Sequence, residues 1–150
     1  MKILLFVSAL LLLCGCASSA RLSVAPGEAH QRFVVRHTQP ASEAFNHVEL
    51  ALAESYNDLP AVLKLKQPES GTFLLKPLVN YQVGGALGPS QHARYTLKTV
   101  VESNTVAMDF QLEPEITTGY WAPVSEMPKI KASFRTVVEK VAAAVSGTVE

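Results

Sequence analysis

Cysteine is scarce in this 150-residue sequence, and its two cysteines, Cys14 and Cys16, both lie near the amino end. Because none follows them, a disulfide and a thiolate metal site are excluded from the rest of the chain. The sequence also lacks internal repeats, and no apolar run reaches the roughly 20 residues that a membrane-spanning helix needs. We therefore expect a single domain without a disulfide framework.

The sequence also has no large net charge of either sign. The chain has 13 Lys and Arg against 13 Asp and Glu, and leaving out Lys2 of the amino-terminal segment changes this to 12 against 13, a net charge of −1. A nucleic-acid-binding domain is normally strongly basic because it must neutralise phosphates. We therefore expect no nucleic-acid partner, although a local basic patch is compatible with this balance.

The amino-terminal segment has the parts of a secretory signal peptide. Lys2 precedes an almost entirely apolar run over residues 3–13, and small residues follow that run. The run is too short to span a bilayer as a helix, so residues 1–15 are predicted to be a signal peptide that contributes nothing to the fold. Ordinary cleavage after Ala20 is the alternative, because small residues also precede that position.

Leu13-Cys14-Gly15-Cys16 resembles the lipobox of bacterial lipoproteins, in which the last cysteine is diacylated and becomes the first residue of the mature protein. The resemblance implies a lipid on Cys16 and attachment to a membrane. Each buried methylene contributes ~0.8 kcal/mol, so two acyl chains anchor a protein stably. Ala17 takes the place of an aspartate that favours inner-membrane retention. We expect a lipid-anchored protein of the cell envelope, on the outer membrane facing the periplasm if the host is Gram-negative.

The rest of the chain predicts a short tether followed by one α+β domain. Residues 16–30 are small and polar and form the expected tether, and residues 31–150 form the domain. Apolar residues recur at helical spacing over residues 42–57 and again from about Pro128 to Gly147. Between and before these helices, apolar residues alternate with polar ones in strands predicted at residues 31–37, 61–66, 72–83, 91–102 and 105–113. Pro77 predicts an edge position or a bulge in the third of them. The order βαββββα predicts one curved antiparallel sheet of about five strands with two helices on one face.

Lysines and arginines gather on the predicted sheet face that points away from the helices. Alternation along the strands turns Leu63, Leu65 and their apolar counterparts toward the helices, and it leaves Leu74, Leu78 and Val100 on the opposite face. A solvated face is the ordinary explanation for polar residues there. The alternative is a binding face for a protein partner or an anionic envelope component. Its basic residues are Arg32, Arg36, Lys64, Lys66, Lys76, Arg94 and Lys98.

No arrangement of residues in the sequence indicates catalysis, a cofactor or a metal. His47 and Glu43 stand four residues apart and could hold a metal, but a solvated helix face is the simpler explanation. There is no Gly-x-Ser-x-Gly nucleophile motif, and the glycine-rich stretch 84–88 lacks the ending of a phosphate-binding loop. Tyr120 and Trp121 lie in an irregular segment, where they either cover one end of the core or form an aromatic anchor for a partner.

The predicted helix 42–57, the turn Glu69-Ser70-Gly71-Thr72 and the hairpin from Tyr95 to Phe110 together carry a resemblance. With these features and the lipobox, the chain resembles a group of small bacterial envelope lipoproteins of unknown function that carry an uncharacterised domain of TBP-like fold. The resemblance implies a shape, with no known catalytic residues and no implication of DNA binding. We expect a non-catalytic binding or structural module. The alternatives are an accessory subunit of a larger envelope assembly and a hydrolase of envelope material, which would need a polar cleft.

Overall fold

Seven strands and three α-helices make up the part of the chain that the computed structural model describes, residues 26–82, 90–114, 122 and 124–150. The helices are α1 (Ala41–Ser55), α2 (Leu59–Val62) and α3 (Met127–Ala144). The strands are β1 (His30–Arg36), β2 (Leu63–Gln67), β3 (Thr72–Leu75), β4 (Leu78–Gln82), β5 (Ser90–Val101), β6 (Thr105–Leu112) and β7 (Thr148–Val149).

All strands pair antiparallel in one curved sheet, in the order β2-β3-β5-β6-β1-β7, while β4 pairs with β5 beyond the end of β3. The helices α1 and α3 pack against each other, and they contact the sheet through β5 and through β1 and β4 respectively. The α+β class and the two-layer arrangement predicted from the sequence are therefore confirmed. No described helix is both long and apolar enough to cross a membrane.

Aromatic rings fasten both long helices to the sheet. Phe45 of α1 stacks on Phe73 of β3, with ring centroids 4.3 Å apart. Phe134 of α3 stacks on Phe110 of β6 at 4.6 Å and meets Tyr95 of β5 at 4.8 Å. Such ring pairs contribute roughly 0.5–1.5 kcal/mol beyond the area that they bury. The apolar side chains that recur at helical spacing in the sequence therefore form the core between the two layers.

Pro77 divides the strand predicted over residues 72–83 into β3 and β4. Proline has no N–H to donate to a ladder, so one strand ends before it and another begins after it. The sequence predicts an edge position or a bulge here, whereas β3 lies between β2 and β5. The carbonyl of Pro77 still accepts a hydrogen bond from the Tyr95 amide at 3.2 Å, and the Lys76 amide donates to the Val62 carbonyl at 2.8 Å. Both halves pair with β5, so the sheet continues across the break.

A bulge in β2 reverses the orientation predicted for part of that strand. Leu63 pairs with Leu75, but Leu65 pairs with Leu74, so Lys64 is an extra residue between the two pairs. An extra residue shifts every later side chain to the opposite face. Leu65 is consequently 39% exposed on the face away from the helices, and the prediction that it faces them is wrong.

Two short elements were not predicted. The single turn α2 begins where a helix break was expected, because Asp58 caps it by accepting a hydrogen bond from the Ala61 amide at 3.2 Å. The two residues of β7 follow α3 and pair with the end of β1. Ahead of β1, a 3₁₀ turn over Pro26–Ala29 buries Ala29, so the last residues of the predicted tether pack against the domain. The glycine-rich stretch 84–88 lies outside the described residues.

Candidate binding face of the sheet

The face of the sheet turned away from α1 and α3 is called the outer face. Strand register identifies its members, because residues directly opposite each other in neighbouring strands point the same way. One row across five strands consists of Leu65, Leu74, Lys98, Asp109 and Arg32. The adjacent row consists of Gln67, Thr72, Val100, Ala107 and Val34.

Apolar side chains form a continuous band on the outer face, which we call the apolar stripe. It consists of Leu65, Leu74, Val100, Ala107 and Val34, one residue from each of five adjacent strands. Leu65 opposes Leu74, and Val100, Ala107 and Val34 oppose one another in turn. Leu74 and Val100 are diagonal neighbours, because Leu74 opposes Lys98 two residues before Val100. The exposure falls from 39% at Leu65 to 9% at Ala107.

Basic residues outnumber acidic ones around the apolar stripe. Arg32 and His30 both approach Asp109, at 3.9 and 3.3 Å, and Lys76 lies 3.1 Å from Glu113. Arg36 forms an ion pair with Glu150. Lys98 opposes Asp109 in the ladder but has no carboxylate oxygen within 4.0 Å in the described part of the chain. With Arg94, five basic side chains therefore share this face with four carboxylates: Asp109, Glu113, Glu150 and Glu102, which accepts a hydrogen bond from the Thr105 hydroxyl at 3.0 Å.

The groups around Glu113 affect the ionisation of its carboxyl. Desolvation opposes its ionisation, but a hydrogen bond from the Thr96 hydroxyl at 2.6 Å acts in the opposite direction. Lys76 and Arg94 add further attraction, and together these groups hold the pKa of Glu113 below its ordinary value. The surroundings of Glu113 therefore favour its charged form.

One of the predicted binding residues, Lys66, does not lie on the outer face. Lys66 opposes Phe73 on the helix-facing side, where its ammonium binds the Glu49 carboxylate at 2.6 and 2.7 Å. Lys64 occupies the bulge and donates to the Ala61 carbonyl at 3.1 Å. The bulge explains the position of Lys66, and it places on the outer face Leu65, which alternation alone had assigned to the core. Leucine and lysine alternate in β2, and this pattern is compatible with either set facing the helices. Only the register with β3 shows which set does.

The remaining candidates of the sequence are either outside the described residues or on α1. Cys16, Tyr120 and Trp121 are outside the described residues, so their predicted roles stay predictions. The Nδ1 of His47 is 2.9 Å from the Gln39 side-chain oxygen, and no group of three potential metal ligands exists among the described residues.

Three buried polar side chains belong to the part of the chain that the structure describes. His37 and Thr99 have side-chain polar atoms without a hydrogen-bond partner among the described residues, and Glu126 pairs with Lys129 at 2.7 Å. They lie in three separate segments of the chain: just after β1, in β5, and just before α3.

Comparison with known proteins identifies the fold. No protein-family model matches the chain, and no protein of curated function matches it. It is similar to the crystal structure of a TBP-like protein from Parabacteroides distasonis, with a TM-score of 0.56 and 10% identity, over 79% of this chain and 95% of that one. It is also similar to a DUF4468 family protein from Bacteroides ovatus, with a TM-score of 0.53 and 6% identity, over 84% and 91%. At such identities the similarity shows a TBP-like fold and nothing about activity.

Proposed function

We propose that this chain is a lipid-anchored, non-catalytic binding module of the bacterial envelope, and that its outer face contacts a protein partner. The observation that carries the proposal is the partly exposed apolar stripe, which is bordered by charged side chains of both signs. A merely solvated face would be covered by polar residues. Here Leu65 and Leu78 are 39% and 55% exposed, and Leu74 and Val100 are partly exposed beside them.

The mixture of apolar and basic groups favours a protein over a polymer. Protein interfaces combine an apolar centre with a polar rim, and arginine is enriched in them. On the outer face the apolar stripe is the centre, while Arg32, Arg36 and Arg94 lie around it. A purely anionic polymer would gain nothing from the exposed leucines.

The existing ion pairs leave the basic residues available to a partner. Arg32, Arg36 and Lys76 are between 44% and 61% exposed at their side chains, and exposed ion pairs contribute only about 0–1 kcal/mol. A partner carboxylate can therefore replace or share these contacts at little cost. Lys98 can bind a partner carboxylate without losing an existing ion pair, because no described carboxylate pairs with it.

The proposed anchor limits where the partner lies. If Cys16 carries the lipid, about ten residues connect it to the first described residue, Pro26. A flexible segment of that length has an end-to-end distance of roughly 17 Å. The domain would then meet only partners that are embedded in the membrane or held close to it.

Site-specific photo-crosslinking in intact host cells tests the proposal. A photoreactive amino acid replaces Leu78 on the outer face, and the matched control carries it at Lys131, which is exposed on α3. We expect a discrete protein adduct from Leu78 and none of the same size from Lys131. Adducts from both positions, or from neither, would contradict an outer-face partner.

Cell fractionation tests the anchor separately. We expect Cys16→Ser to move the protein out of the membrane fraction or to leave it unprocessed. If the variant stays in the membrane fraction like the native protein, lipidation at Cys16 is contradicted. The outer-face partner is tested independently by the crosslinks.

A further inference from the structure

We infer that β4 pairs antiparallel with β4 of a second copy of this chain, so that two sheets join edge to edge with Asn80 on a twofold axis. The inference goes beyond the proposed function, because it concerns a different surface, the edge of the sheet. Three properties of β4 carry it: the direction of its backbone groups, the lack of the protection that other edge strands have, and the match between its open groups and those of an identical edge.

Alternate residues of β3 and β4 form the hydrogen bonds to β5. The two strands face β5 in one continuous register. The Val101 amide donates to the Gly71 carbonyl at 2.8 Å, and the Tyr95 amide donates to the Pro77 carbonyl at 3.2 Å. Hydrogen-bonded pairs alternate with non-bonded pairs along an antiparallel ladder, so the odd-numbered residues of β3 and β4 direct their backbone groups toward β5. The even-numbered residues direct theirs to the opposite side.

The backbone groups of Leu78, Asn80 and Gln82 therefore point out of the sheet. Lys129 of α3 agrees with this direction, because its ammonium donates to the Gln82 carbonyl at 3.0 Å. In the described part of the chain, no other residue hydrogen-bonds to these outward groups. An edge with unpaired backbone groups is a template for pairing with a further strand.

β4 lacks the protection that the other edge strands have. Among the described strands, β2, β4 and β7 each pair with a single neighbour. β2 carries a bulge and two lysines and ends before Pro68, and β7 has only 2 residues. Bulges, lysines, prolines and short length keep the sheet edges of monomers from pairing. β4 has 5 residues, none of which is charged, and its register has no shift, so its edge is the one suited to pairing.

A second β4 complements this edge. With Asn80 opposite its own copy, the two Asn80 residues exchange both of their backbone hydrogen bonds, and Leu78 lies opposite Gln82 of the second copy. The Gln82 N–H then donates to the Leu78 carbonyl of the other copy, while Lys129 keeps the Gln82 carbonyl. About four backbone hydrogen bonds join the two edges.

The side chains of β4 are compatible with this pairing. Like charges opposite each other destabilise a sheet, and β4 has no charged residue to bring against its copy. Leu78 is 55% exposed, and its side chain gains Gln82 of the second copy as a neighbour. The open groups of one edge match those of an identical edge, which is the property of an isologous twofold interface.

Disulfide trapping in the purified full-length protein in detergent tests the pairing and its register. The Cα atoms of a hydrogen-bonded pair are about 5.5 Å apart, a separation that a disulfide accepts. Asn80→Cys should therefore link to its own copy under mild oxidation. Leu78→Cys and Gln82→Cys should each stay unlinked alone, because each lies about 14 Å from its own copy, and they should link to each other when the two variants are mixed.

Two controls accompany this pattern. The native protein, whose cysteines are Cys14 and Cys16 only, shows the background, and Lys131→Cys places a thiol on the exposed side of α3. We expect at least about tenfold more disulfide-linked dimer from Asn80→Cys than from Lys131→Cys, because pairing holds the two thiols together. Linking of Leu78→Cys to itself, equal linking at all positions, or no linking at position 80 would each overturn the inference.

Sedimentation velocity over a concentration series tests the pairing without a disulfide. Asn80→Pro removes an outward N–H, a change that an edge strand tolerates, whereas Asn80→Ala keeps this N–H. The dimer Kd should rise about tenfold in Asn80→Pro and less than about threefold in Asn80→Ala. Circular dichroism and thermal unfolding of both variants exclude loss of the fold as the cause. Equal effects of the two substitutions would contradict pairing through the backbone.

The crosslinks from Leu78 separate this inference from the proposed function. An adduct of twice the mass of the chain supports the pairing of two copies. An adduct of another mass, together with no disulfide at position 80, supports the outer-face partner and overturns the pairing.

Discussion

Thr99 lies on the helix-facing side of β5 and is completely buried, and no described residue hydrogen-bonds its hydroxyl. A buried hydroxyl without a partner keeps its desolvation cost and gains nothing in return. We therefore expect Thr99→Val, which keeps the shape and removes the hydroxyl, to raise the free energy of unfolding by about 1 kcal/mol. Urea denaturation measures this change.

Thr96, on the outer side of the same strand, is the matched control. Its hydroxyl donates to Glu113 at 2.6 Å, so Thr96→Val removes a bond to a charged group. We expect this variant to lose about 1 kcal/mol. Equal effects of the two substitutions would show that hydrogen bonding of the hydroxyl is not what distinguishes them.

At the residue scale, sequence reasoning succeeds where the alternation is unbroken. Tyr95 and Leu97 in β5, and Met108 and Phe110 in β6, all face the helices as their spacing predicts. The same reasoning fails at Leu65. A bulge depends on how two strands pair, so the sequence of one strand does not reveal it. The candidate face could therefore be predicted for Arg32, Arg36, Lys76, Arg94 and Lys98, but not for Leu65.

At the scale of elements, β7 depends on Gly147. A β-carbon at this position would overlap the carbonyl oxygen of Arg36 and would lie 2.7 Å from Cγ1 of Val35. Gly147→Ala should therefore push β7 away from β1 and cost about 1–3 kcal/mol. Urea denaturation measures the cost, and amide exchange at Glu150, whose N–H donates to the Val34 carbonyl at 2.9 Å, reports the separation.

Val149→Ala provides the comparison for this prediction. Val149 is 38% exposed in the same strand, and its truncation creates no overlap. We expect a change within about 0.5 kcal/mol. A larger loss from Val149→Ala than from Gly147→Ala would contradict the backbone overlap as the reason for a glycine here.

Elements differ in how far the sequence predicts them. The stripes of α1 and α3 continue over several turns, and such long periodic patterns identify a helix and its buried side. β7 has two residues and no period, and α2 is a single turn that depends on its Asp58 cap. Short elements of this kind are determined by contacts with the completed fold, so the sequence alone did not indicate them.

At the scale of the whole molecule, a tyrosine pair joins the helical layer to the sheet. Tyr56, just after α1, and Tyr95 of β5 share a hydrogen bond of 2.8 Å between their hydroxyls. Burial raises the pKa of Tyr95 from 10.0 to about 12, and burial with the neighbouring phenol raises the pKa of Tyr56 further. The folded state therefore keeps protons that the unfolded state releases above pH 10.

Alkaline pH should consequently destabilise the fold. The contribution of these tyrosines is complete below pH 10 and is lost as the pH rises toward the folded-state pKa values. Each tyrosine should lower the free energy of unfolding by about 1.4 kcal/mol per pH unit above 10. Urea denaturation at pH 8, 10 and 11 measures the slope, and a Tyr56→Phe/Tyr95→Phe variant should show a clearly shallower one. Equal slopes would contradict burial of the pair.

The near absence of cysteine provides the most direct test of the central claim, that a partner covers the outer face in the cell. Leu65→Cys places a thiol on the apolar stripe, and Ser133→Cys places one on the exposed side of α3. A membrane-permeant maleimide then labels each variant in intact host cells and again after purification in detergent. We predict that the thiol at position 65 reacts at least several-fold more slowly in cells than after purification, while the thiol at position 133 reacts equally in both. Equal reactivity at position 65 in cells and in detergent would contradict the claim.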